Sequence, residues 1–273
     1  MSETAPAASP PPSFPPSPPP SPPPSPVPVP QDLTLADLRA ALRLGLRDFR
    51  RAPLFGLFFS AVYVAGGMLL WFVYAAAGQE WWLAPVAVGF PLIAPFAAVG
   101  LYEVSRRIEA GGRLDWGGVL GVVFRQKDRQ APMAAALIVV VFLFWMFIAH
   151  AIFALFMGLR AFSGEAGLAD LLLAGNGPLM LVVGGAVGAG FAGAVFATTV
   201  TGLPHILDRE VDVVTAMAIS VSVVARNSGV MAVWAAAIAA GLFVAMLPMF
   251  LGLFIALPVF GHATWHLYRR ALA

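Results

Sequence analysis

The sequence predicts an all-α, polytopic membrane protein, and three observations carry that prediction. Hydrophobic residues make up 60% of the 273-residue chain and charged residues only 11%, against about 25% charged in an average soluble domain. The apolar residues fall into runs long enough to span a bilayer, which takes about 20 residues as a helix. The basic residues fall almost entirely between those runs. A water-soluble globular protein is excluded, because so few charged groups cannot cover its surface. The chain has no cysteine, so disulfides, thiolate metal ligands and cysteine nucleophiles are excluded too.

The chain divides into a disordered proline-rich tail, residues 1–32, and a membrane domain, residues 33–273. Of the 24 prolines, most lie before residue 31 in a Ser-Pro-Pro pattern. Proline lacks an N–H, so the tail forms neither a helical nor a sheet ladder and extends as polyproline II. It reads either as a solvated tail or as a docking strand for a partner with an aromatic groove. It has no apolar core of a signal peptide.

The first helix starts at Thr34, with Asp37 three residues on as an acidic capping-box partner. Leu35, Leu38, Leu42, Leu46 and Phe49 recur at helical spacing, and Arg39, Arg43, Arg47 and Arg50 form a second stripe. Such a helix suits the headgroup layer of a membrane. Six spans are then predicted, at about 54–77, 81–103, 131–159, 178–204, 230–247 and 249–267. The last two come from one apolar run, about 60 Å long as a helix and therefore split at Pro248. With six spans, Arg160 is the one basic residue set apart from the rest, and the arginine-rich face with both termini is cytoplasmic.

A pattern repeats three times: a surface helix, a straight span and a proline-kinked span. The joints are Arg50-Arg51-Ala52-Pro53, Arg129-Gln130-Ala131-Pro132 and Arg226-Asn227-Ser228-Gly229. The kinked spans carry Pro91 and Pro95, Pro204, and Pro258. Gly184, Gly188 and Ala192, interleaved with Gly185, Ala189 and Gly193, give two small-residue stripes suited to close helix packing. Thr198, Thr199 and Thr201 stand where they can satisfy carbonyls freed by Pro204.

Polar groups in or beside the spans supply the candidate sites. His150 lies mid-span, where an ionisable side chain is costly and points to function by default. It reads as a proton relay or haem ligand, or as a neutral imidazole bonded to a neighbouring helix. Glu103, Asp208 and Arg209 join it as a candidate substrate or proton path, or else are solvated helix ends. His205, His262 and His266 share one depth and are candidate metal ligands. Against that reading, Trp265 and Tyr268 flank them as interfacial anchors would. No phosphate-binding glycine loop or nucleophile elbow is present, and no cofactor is expected.

Three segments resemble a known family. They are Gly89-Phe90-Pro91-Leu92-Ile93-Ala94-Pro95 with Gly100-Leu101-Tyr102-Glu103-Val104-Ser105-Arg106-Arg107; Leu203-Pro204-His205-Ile206-Leu207-Asp208-Arg209 with Thr215-Ala216-Met217; and Pro258-Val259-Phe260-Gly261-His262-Ala263-Thr264-Trp265-His266-Leu267-Tyr268-Arg269-Arg270. Together they resemble the bacterial integral-membrane family known as domain of unknown function 2189. The resemblance implies several helical spans and a bacterial inner-membrane location, and assigns no activity. Two functions compete. The first is a transporter- or channel-like helical module. The alternative is a non-catalytic accessory or assembly subunit of a larger membrane complex, for example a respiratory one. The expected partners are the lipid bilayer and either another membrane protein or a second copy, with no nucleic acid.

Overall fold

The computed structural model describes residues 28–77, 97–126, 131–158, 175–209 and 211–272. The proline-rich head, most of the second span with Pro91 and Pro95, and Lys127, Arg129, Arg160 and Glu210 lie outside the described residues. Everything described is helix, turn or irregular segment, with no strand among the described residues. In chain order the helices are α1 (Leu35–Arg51), α2 (Pro53–Ala77), α3 (97–109), α4 (Trp116–Gln126) and α5 (Ala131–Met157). They continue as α6 (Gly177–Thr199), α7 (Gly202–Arg209), α8 (Val213–Arg226), α9 (Ser228–Met246) and α10 (Leu253–Ala271).

Four apolar stretches are long enough to cross a membrane: Pro53–Phe72, Pro132–Met157, Gly177–Arg209 and Ser228–Met246. Each exposes large apolar side chains, such as Leu54, Phe72, Phe147, Leu155, Val182 and Phe243. In water such surface would be a liability; in hydrocarbon it is the expected face. α5 is the extreme case, since none of the residues in its most apolar window is buried. The run after Asn227 breaks into α9 and α10 through a turn at residues 247–252, where the split at Pro248 was expected. Met249 and Phe250 hold positive φ there.

α1 begins as the sequence indicates. Thr34 Oγ1 accepts from Asp37 N at 3.3 Å, and Asp37 Oδ2 accepts from Thr34 N at 2.9 Å. Its packing differs from expectation. The buried stripe is Leu38, Ala41, Gly45 and Asp48, and Leu35 stays half exposed. The stripe lies against α10, the neighbour α1 touches most extensively. The reason is steric: a Cβ on Gly45 would sit 2.6 Å from both Ala263 N and Val259 O. Small residues decide which face can meet another backbone, and the leucines flank that contact.

α10 is buried all round from His262 to Tyr268. It forms the axis of the polar end, wrapped by α1, α2, α9 and the ends of α3 and α7. The extended segment before α1 is strapped on top. Gln31 N donates to Ala271 O at 2.9 Å, and Leu33 N donates to Asn227 Oδ1 at 2.7 Å. Asn227 Nδ2 donates to Gln31 O and to Val223 O. Arg226–Asp32 and Arg270–Asp37 ion pairs flank the strap.

Candidate functional site: a buried polar junction

Seven consecutive buried residues on α10 include two histidines, a threonine, a tryptophan and a tyrosine. Buried polar groups are costly unless bonded, so their neighbours define the site. His262 Nδ1 lies 2.8 Å from Ser105 Oγ on α3, and Ser105 also bonds Asp48 on α1. Because the carboxylate can only accept, Ser105 donates to Asp48 and accepts from His262 Nδ1–H. Asp48 Oδ2 then accepts from His266 Nε2 at 2.7 Å, and Asp48 Oδ1 accepts from Arg47.

A second relay has the same order of groups. His205 Nδ1 lies 3.2 Å from Tyr268 Oη, and Tyr268 Oη donates to Asp208 Oδ2 at 2.8 Å. In both relays a hydroxyl stands between an imidazole and a carboxylate. Both leave the imidazole Nε2 buried without a partner among the described residues. A nucleophilic triad has another order, with the imidazole between hydroxyl and carboxylate. Ser105 is moreover wholly buried. The relays hold helices together; they do not present a nucleophile.

Around them runs a ring of ion pairs. Glu103, fully buried, accepts from Arg106 Nε at 2.7 Å and Arg107 Nε at 2.6 Å. Arg107 goes on to Asp115 and to the Arg113 carbonyl. Arg269 bridges Glu109 and Asp208, and Arg209 lies 3.7 Å from Asp208. Burial would push the Asp48 carboxyl up, but the bond and charge of His266, then Arg47 and Ser105, together hold it below the usual carboxylate value.

The structure therefore gathers most of the residues singled out in the sequence, and it separates one. Glu103, Asp208, Arg209, His205, His262 and His266 all lie at this polar end. His150 faces outward from α5, and among the described residues its Nδ1 bonds only the carbonyl of Met146 in its own helix, at 2.7 Å. The three imidazoles of the polar end reach three different partners, Tyr268, Ser105 and Asp48. Among the described residues no group of three His, Asp or Glu side chains is arranged to hold a metal ion.

Trp265 and Tyr268 are not interfacial anchors: both are buried, and Trp265 Nε1 donates to Glu109 Oε2 at 3.0 Å. Thr198 and Thr199 bond carbonyls of Ala194 and Val195, upstream of those Pro204 would free, and the Thr201 hydroxyl is buried without a partner among the described residues. Sequence reasoning missed Asp48 and Ser105, although Asp48 continues the 3-4-3 spacing of Leu38, Ala41 and Gly45.

The fold and its apolar spans define the class: an all-helical integral membrane protein. Residues 83–208 match the family described as "Predicted integral membrane protein (DUF2189)", which bears out the resemblance seen in the sequence. The match takes in α3 to α7 and ends at Asp208, so the third resembling run, on α10, lies beyond it. No curated protein matches the chain, and no solved structure does.

Proposed function

We propose that this chain is a non-catalytic accessory or assembly subunit of a larger membrane complex. The observation that carries the reading is α5: a helix of 27 residues with its apolar window wholly unburied, set at the edge of the fold. It touches α6 along an open apolar cavity of about 460 Å³ lined by Ile138, Trp145, Gly188 and Phe191 among others. A transporter needs polar groups along a path. Here Glu103, Asp208 and Arg209 are bonded to neighbours at one end, and His150 stands apart from them. That arrangement favours the accessory reading over the transporter-like one.

Six spans, with α3 as the end of the second and α10 as the sixth, fit the element order. So does a threefold repeat, since α1, α4 and α8 are each followed directly by a long apolar helix. Contact between Gln31 and Ala271 supports both ends lying on one side of the membrane, and arginine placement favours the cytoplasm of a bacterial cell.

The chain has no native cysteine, so a single introduced thiol is an unambiguous probe. Leu155→Cys on α5 should cross-link in native membranes to one partner at fixed stoichiometry. Labelling by lipid-soluble reagents alone, together with substrate flux in reconstituted vesicles that His150→Ala abolishes, would restore the transporter reading.

A further inference from the structure

We propose that the corner between α1 and α2 is a binding site for an anionic phospholipid. Arg39, Arg43 and Arg50 lie within roughly 40° of one another around α1 at 100° per residue, opposite the stripe packed on α10, and Arg51 follows at the corner. All four are exposed, and none makes an ion pair among the described residues. Arg47, on the same helix, is taken by Asp48. Described carboxylates elsewhere are already engaged, by arginine or, at Asp212, by the start of α8. The cationic row is therefore left without a counter-charge within the described fold.

A second feature says where that counter-charge comes from. One turn beyond Arg50 and Arg51, α2 exposes Leu54, Leu57 and Phe58. Trp116, from the start of α4, is 40% exposed beside them. Its ring meets Phe58 edge-on at 5.3 Å and Phe55 at 4.1 Å. Half-exposed tryptophan at the end of an apolar helix marks the headgroup level. Guanidinium groups above an apolar strip match a phosphate joined to acyl chains, and guanidinium pairs with phosphate in a fork. A soluble phosphate would have no use for the strip.

The test uses the full-length protein in mild detergent, with native mass spectrometry of adducts at equal concentrations of phosphatidylglycerol and phosphatidylcholine. Wild-type protein should retain phosphatidylglycerol preferentially. Arg50→Gln with Arg51→Gln should weaken that retention about fivefold per arginine, while Arg50→Lys with Arg51→Lys keeps most of it. Phe58→Asn should lower retention of both lipids. These side chains are exposed, so thermal unfolding in the same detergent should confirm the variants fold. Equal retention of the two lipids by wild type, an undiminished preference in the glutamine variant, or competition by soluble glycerol phosphate as strong as by the lipid would each overturn the proposal.

Discussion

Asp48 shows how one side chain can set the terms for a whole helix junction. It is fully buried and accepts from His266, Arg47 and Ser105. Asp48→Ala should cost about 3–5 kcal/mol, the range for removing one partner of a buried pair, read as a lowered midpoint in thermal or chemical unfolding. Asp48→Asn, which can still accept from His266, should cost less. The pH dependence follows from sign. The folded carboxyl lies below its ordinary value of 3.8, so the unfolded chain takes up the proton first. The Asp48 contribution is thus complete at neutral pH and is lost as pH falls below about 4. An unfolding midpoint measured between pH 7 and pH 3 should drop more in wild type than in Asp48→Asn. Little of this was legible in the sequence. Asp48 sits in an arginine-rich stretch and reads as a surface acid until Ser105 and His266, both distant in sequence, are placed beside it.

At the scale of the element, α1 and the strap before it yield two further expectations. Gly45→Ala puts a methyl against the backbone of Ala263 and Val259, atoms that cannot step aside. It should cost about 1–3 kcal/mol and raise amide exchange across α1. Asn227→Ala leaves Leu33 N and Gln31 O unbonded, at a cost of about 1–3 kcal/mol. Exchange at Gln31 and Leu33 should then rise while α9 stays protected; unchanged exchange would mean the ion pairs alone hold the strap. Helix existence was legible here, because capping residues and apolar run length act locally. The choice of face was not. Periodicity recorded where the leucines lie, whereas contact was decided by Gly45, whose value is an absent atom. The same holds for Trp265, whose aromatic character suits an interface equally well until Glu109 is found opposite its indole nitrogen.

On the scale of the whole molecule, two regions obey different solvents. The spans keep large apolar side chains outward, and the polar end folds like a small soluble core around α10. Reporter fusions at the two ends of the chain should register on one side of the membrane, given the bond between Gln31 and Ala271; opposite sides would break the six-span reading. That closure also has a consequence for biosynthesis. α1 emerges before α10, and its mate in the Asp48–His266 contact is made 218 residues later. Until then the side of α1 that faces α10 has no cover, and a segment made much later is the one that locks it. Nascent chains should therefore pass through a long interval of vulnerability to proteases and holdases, ended in a single late docking event.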